Sequence, residues 1–438
     1  SAMGYAPYKR SVRLSANESL EHNIELEEAV MELDDVVVTE KASGVSRLRN
    51  SAYNAVAIET DAFLNTTKNL ADILATTPGV KLRESGGVGS DMNIMMDGFN
   101  GKNVKIFIDG VPQEGVGTSF GINNIPVNFA ERIEVYRGVV PVEFGTDAMG
   151  GVVNIVTKKV REGWNAEASY SYGSFNTHKS FLNFGQTFRN GYTYEINAFQ
   201  NYSDNNYRIN VPVEDFVTGS IEKKNLHLVE RFNDTYHNEA LSLKMGVVEK
   251  DWADKLLFGI RMSQMYKDIQ TGVRQEIVYG KKHRRAYSLM PSVEYSKKNL
   301  FIDGLDLSAT VNYNRNAVTN VDTSACKYNW FGETRPMNSP GEQSYQHMRS
   351  DNDNWNATLT LNYRPFKSHT HLFTLHSLFN AFKRHNSSLL LSNRAEDPIS
   401  KVTRKGVAGL SYRFMPTGNW NVTIFGKYYN LYVDIFSK

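Results

Sequence analysis

The sequence predicts a transmembrane antiparallel β-barrel preceded by a small α+β domain. Three observations carry this expectation. From residue 163 onward nearly every segment alternates apolar and polar residues with a period of two, over lengths that cross a bilayer with tilt. The connectors between those segments alternate short and long. Residues 129–159, FAERIEVYRGVVPVEFGTDAMGGVVNIVTKK, separate this regime from a shorter-stepped, glycine-punctuated region upstream.

Composition sets the outer bounds. With 438 residues there is room for two or three domains. The 41% hydrophobic content and mean hydropathy of -0.43 look soluble, but a barrel strand turns every second side chain toward a polar lumen, so the average misleads. No stretch approaches 18 consecutive apolar residues, which excludes helical membrane spans. A formal net charge of +2 argues against a nucleic-acid binder. Cys326 is the single cysteine, so neither an intrachain disulfide framework nor a thiolate metal cluster can form. Ser1, Ala2 and Met3 read as a cloning remnant behind a removed export signal.

Residues 1–33 hold two strand-like pieces, 8–14 and 22–26, leading into an acidic run at Glu25, Glu27, Glu28, Glu32, Asp34 and Asp35, too little to bury a core. Residues 34–44 follow as a β-prone run and a flexible linker; Val36, Val37, Val38 and Thr39 could lend an edge to a partner sheet. Residues 45–160 read as the α+β domain. Thr66 and Thr67 are expected to cap a helix over 68–74 that Pro78 and Gly79 end. Strands are expected at 80–82, 93–96, 104–108, 133–136 and 152–157, with a turn at Asp109 and Gly110.

Residues 161–438 form the barrel region. Its strands are expected at 165–175, 177–188, 192–203, 237–249, 254–265, 285–297, 304–315, 353–364, 369–380, 405–414 and 419–432. Turns such as 189–191, 249–254, 364–368 and 415–419 are short, whereas 203–237, 266–283, 316–350 and 383–403 are long. Such asymmetry marks an outer-membrane barrel. Eleven strands do not close a single-chain bacterial barrel, which takes an even number, so the remaining half is expected from a continuation or a second polypeptide. Tyr170, Tyr172, Tyr192, Tyr194, Tyr428 and Tyr429 fit interfacial girdles.

Several of these segments resemble the TonB-dependent outer-membrane receptors. Leu70 to Leu74 with Pro78, Gly79 and Val80 is similar to the early plug motif, the strand at 104–108 ending in Ile-Asp-Gly-Val-Pro to a second, and residues 131–159 to the late plug motif. Where the family commonly has Arg-Gly-Phe, this chain has Asp97, Gly98 and Phe99. Residues 4–33 resemble the end of the carboxypeptidase-like domain that precedes such receptors in Bacteroidetes. The resemblance implies a 22-stranded barrel with the α+β domain as a plug inside its lumen, long loops outside the cell, and the plug accessible from the periplasm. It implies energy from the inner-membrane TonB-ExbB-ExbD complex, coupled through a TonB box at Asp35, Val36, Val37, Val38 and Thr39.

Within that frame, Glu131, Arg132, Glu134 and Arg137 are expected to contact the barrel wall, because a period of two places Arg132 and Glu134 on one face. Ligand is expected between the outward plug apices and the loops, with Met92, Asn93, Asp97, Asn100, Gln113, Phe120, Trp330 and Arg335 as candidates. No triad, carboxylate pair or phosphate loop is found, so no enzyme activity and no intrinsic cofactor or metal is expected. The expected cargo is a ferric siderophore, favoured over haem or cobalamin. A SusC-like glycan or peptide importer with a surface lipoprotein fits the plug pattern less well, and a passive adhesion barrel is the reading from another class. Outer-membrane lipid or lipopolysaccharide completes the expected partners.

Overall fold

The computed structural model describes residues 48, 53–64, 66–113, 118–145, 147–158, 163–365, 370–390, 399–417 and 420–437. The segments read as an extension domain remnant and as a TonB box lie outside the described residues. Among the described residues, eight short strands, one short α-helix and five single 3-10 turns form the plug, with β1 Ala55–Glu59, α1 Leu70–Leu74, β2 Val80–Glu84, β3 Met92–Met96, β4 Phe99–Asn100, β5 Val104–Ile108, β6 Val111–Pro112, β7 Ala130–Arg137 and β8 Gly151–Thr157. The main plug sheet runs β1-β7-β8-β5-β6, with β5 and β8 parallel, and β2-β3-β4 form a second sheet.

Central strand β8 is buried along its whole length, which is why it reads as a run of Val and Ile and not as an alternation. Helix α1 packs Leu70, Ile73 and Leu74 into the same core as Ile133, Val135, Val153 and Ile155. Each of those three α1 side chains is fully buried, contributing about 1.5–3 kcal/mol against an exposed position. The helix begins later than its threonines suggest. Asn69 is the N-cap, its Oδ1 accepting from Asp72 N while the Asp72 carboxylate accepts from Asn69 N. Thr66 instead donates to the Phe63 carbonyl.

The barrel region is one eleven-stranded antiparallel sheet in sequence order. Its strands are β9 Gly163–Gly173, β10 Thr177–Thr187, β11 Tyr192–Ser203, β14 Tyr236–Lys250, β15 Ala253–Asp268, β16 His283–Lys297, β17 Leu305–Asp322, β20 Gln346–Tyr363, β21 His371–Ser388, β22 Ile399–Thr417 and β23 Trp420–Ser437. Two hairpins lie in the long connectors: β12 Arg208–Glu214 with β13 Ile221–Glu230, and β18 Cys326–Tyr328 with β19 Thr334–Pro336. No helix among the described residues is long and apolar enough to cross a membrane, which says nothing against crossing by strands.

All eleven expected barrel strands are present, and several extend further at the long-connector end. Strand β20 starts at Gln346 and β21 runs to Ser388, beyond the apolar alternation that defines 353–364 and 369–380. There the ladder continues while the outward face turns polar. Arg349, Asp351 and Asp353 on β20 oppose Ser387, His385 and Lys383 on β21. The lumen face is an asparagine wall, with Asn352 donating to Asn316 (2.9 Å), Asn356 to Asn312 (3.1 Å) and Asn380 to Asn354 (2.7 Å). Tyr170, Tyr172, Tyr192 and Tyr428 stand on the outward face. Tyr429 does not: on β23 it alternates with Tyr428 and shares a face with Lys427, which reaches the plug carbonyl of Val140 (2.9 Å).

Candidate ligand and coupling site

Two plug loops meet the wall at the long-connector end. The first, 85–91, joins β2 to β3 and is closed by Ser85 N donating to the Asp91 carbonyl (3.1 Å). Asn205 clamps it: its Oδ1 accepts from Val88 N (3.0 Å), and its Nδ2 donates to the carbonyls of Val88 (2.9 Å) and Asp234 (3.0 Å). Gly89 lies flat on the Tyr236 ring with φ +74°, where a Cβ would stand 2.1 Å from a ring carbon. The second loop, 118–125, is held by Asn238 donating to the Ser119 carbonyl (2.7 Å), Ser119 to Ser263 between hydroxyls (2.8 Å), Asn201 donating to the Asn124 carbonyl (2.9 Å) and Tyr236 donating to Asn124 Oδ1 (2.8 Å). Apolar contacts accompany these polar bonds: Phe120 meets wall Phe199, and Val88 packs on Tyr236, Met265 and Ala286.

Between the loops and the wall lies a cavity of about 320 Å³. Met92, Asn93, Asn123, Tyr236, Lys267 and Arg284 are among its lining residues. Lys267 Nζ and Arg284 Nη1 each stand 3.9 Å from Asp91 Oδ1. Asn320 Oδ1 accepts from Arg284 Nε (2.9 Å) and fixes that guanidinium.

Deeper in the lumen, Asp109 anchors the turn between β5 and β6. Its carboxylate accepts from Thr157 N (2.9 Å) and Thr157 Oγ1 (2.7 Å) and pairs with wall Lys244 (3.1 Å). Burial alone would raise this carboxyl; the Lys244 charge and the Thr157 bonds outweigh it and hold it well below the usual range. Lys244 also meets Glu294 (2.9 Å), which Lys255 shares (2.7 Å). Nearby, Asn154 ties the same turn to β7 by accepting from Gly110 N (3.0 Å) and donating to Glu134 (2.9 Å).

Of the eight ligand candidates, Met92 and Asn93 line the cavity. Gln113 instead accepts from wall Arg261 (3.1 Å), and Phe120 is buried against Phe129 and Phe199 with the Arg261 guanidinium over its ring. Asp97 sits at the opposite end of β3 from the cavity, 3.8 Å from Arg137, so the unusual anion has a cation within the plug. Asn100 pairs with Met95 in the β3-β4 hairpin. Trp330 is buried in a loop core with Val211 and Val229, donating to the Gln275 carbonyl (2.8 Å), while Arg335 pairs with Glu214 (3.5 Å) over the Phe216 ring. Both shape a loop and leave the cavity to others.

The expected wall contacts of Glu131, Arg132, Glu134 and Arg137 need the same correction. Arg132 and Glu134 do share a face, and they satisfy each other (2.7 Å), with Glu131 on the same guanidinium (3.0 Å). Arg137 donates to the Pro78 carbonyl and Asn54 (3.1 Å each). Ion pairs that join plug to wall among the described residues include Asp109 with Lys244, Lys158 with Glu167 (2.9 Å), Asp147 with Lys405 (2.7 Å) and Asp91 with Lys267 and Arg284 (3.9 Å each). Local alternation cannot reveal these, because each pair spans plug and barrel; Asp109 was legible only as a turn. Lys267, Arg284, Asn205 and Tyr236 were missed for the same reason.

Residues 47–152 match the family described as TonB-dependent Receptor Plug Domain. Residues 47–152 are thus a plug domain of the TonB-dependent receptor type. A curated relative, the vitamin B12 transporter BtuB of Vibrio vulnificus, is 28% identical over 269 residues, covering 59% of this chain and 38% of that protein. Among solved structures, a ferric enterobactin receptor (PfeA) superposes with a TM-score of 0.65 at 15% identity, covering 88% of this chain and 60% of its own. The siderophore receptor PiuA from Acinetobacter baumannii gives 0.57 at 13% identity, covering 87% and 61%. At such identities the structures speak for the fold alone, and the chain spans less than two thirds of the length of each of these relatives.

Proposed function

We propose that this receptor takes part in TonB-dependent active import of a scarce, bulky ligand across the outer membrane, and that the ligand is a ferric siderophore. The observation that carries this reading is the extracellular cavity shared by the plug apices and the wall, bounded by two lumen-facing cations, Lys267 and Arg284. An iron chelate rich in anionic oxygens suits such a lining better than a neutral glycan does. Solved structures that share the fold include siderophore receptors. Cobalamin is the second reading, favoured by the curated relative's name.

In this reading TonB, driven with ExbB and ExbD, pairs with residues 35–39 and pulls on the plug, whose hydrogen bonds and ion pairs to the wall can part and re-form. We read residues 1–33 as the end of a Bacteroidetes-type extension, and a surface lipoprotein and outer-membrane lipid or lipopolysaccharide as further partners. A receptor lacking residues 34–40 is expected to bind ligand normally in cell-surface assays while accumulating none in cells. Undiminished accumulation of radiolabelled ferric chelate would refute the import reading.

A further inference from the structure

We propose that Lys267 and Arg284 form an anion subsite at the extracellular cavity and that Asp91 is its resident counter-ion, displaced when an anionic ligand group enters. The three groups differ in how firmly they are held. Strand positions in the wall carry both cations, with side-chain exposures of 14% for Lys267 and 29% for Arg284, and Asn320 fixes the guanidinium. The Asp91 carboxylate is 71% exposed and stands 3.9 Å from each cation, beyond hydrogen-bonding distance. Neighbouring Asp234 is already paired with Arg231 (2.8 Å) and leaves the subsite positive once Asp91 departs. A carboxylate or catecholate oxygen approaching from the extracellular side can form the short charge-assisted bonds that Asp91 does not make.

Displacement has a mechanical consequence, because the Asp91 carboxylate facing Lys267 and Arg284 is one of the contacts between the 85–91 loop and the wall, the others being at Asn205 and Tyr236. Entry of the anion frees one of the ties between plug apex and wall. The subsite also sets specificity: ligands without an anionic group gain nothing from it. This deepens the import reading by naming the ligand class, yet the anion site is testable without transport.

The test is calorimetric titration of the full chain in detergent with citrate trianion, with sucrose as the uncharged control. Asp91→Asn is expected to tighten citrate about ten-fold, because the competitor is removed, and Lys267→Gln and Arg284→Gln to weaken it. Sucrose should show no difference between native chain and variants. Hydrogen exchange in residues 85–91 should rise with citrate in the native chain and already be raised in Asp91→Asn. Equal or weaker citrate binding by Asp91→Asn, no citrate binding by either, or indifference to Arg284→Gln overturns the proposal. Unchanged thermal melting confirms that Asp91→Asn is folded. Undiminished iron accumulation by the receptor lacking residues 34–40, with the citrate result intact, would sink the import reading alone.

Discussion

The Asp109 carboxylate accepts two bonds from Thr157 and faces Lys244, both partners of the ion pair being nearly enclosed. Removing one partner of such a pair strands a charge, so Lys244→Met is expected to cost about 3–5 kcal/mol, read as a lower denaturant midpoint. The double variant Lys244→Met with Asp109→Asn should recover part of that loss. The folded-state carboxyl lies below its unfolded value, so its contribution is complete above the unfolded value, about 3.9, and is lost as pH falls through the folded one. Stability measured between neutral pH and about pH 5 should therefore be insensitive to this group, and Asp109→Asn should flatten the decline at lower pH.

Among the elements, the 85–91 loop and α1 make opposite demands on their residues. Gly89 has a positive φ and no room beside Tyr236, so Gly89→Ala is expected to cost about 1–3 kcal/mol through overpacking and strain. Faster hydrogen exchange confined to the 85–91 loop would be its mark. Helix α1 rests on Asn69, and Asn69→Ala should cost about 1 kcal/mol, whereas Thr67→Ala should leave the melting temperature unchanged. The strand positions of the plug were legible because their β-branched runs and turn residues are local. The cap was misplaced because Thr66 and Asn69 are both competent caps, and burial of Leu70 decides where the helix starts.

Over the whole molecule, one parity rule governs the barrel. Ser288 turns inward to Asn314 and Met290 joins the plug core, so Leu289 between them faces outward at mid-strand. Leu289→Arg is expected to destabilise the bilayer-inserted protein by about 2–4 kcal/mol, measured by urea unfolding in liposomes. Replacing outward Arg349, near the long-connector end of β20, with Leu should have little effect in the same assay. The eleven strands, their order and the asymmetry of their connectors could be read directly from periodicity and turn chemistry. The strand extensions at the long-connector end could not, since hydrogen-bonded ladders persist where neither face is apolar.

By itself the sequence determined the fold class, the plug-to-barrel junction at 129–159 and the identity of nearly every strand, because those depend on neighbours two or four residues apart. Only the tertiary structure decided which charges meet. Arg132 and Glu134 turned to each other, Trp330 and Arg335 were taken by a loop core, and Asp91, Lys267 and Arg284 came together from the plug and two wall strands. Such pairings depend on plug seating and strand register, and no local pattern encodes the distance between two groups more than 150 residues apart.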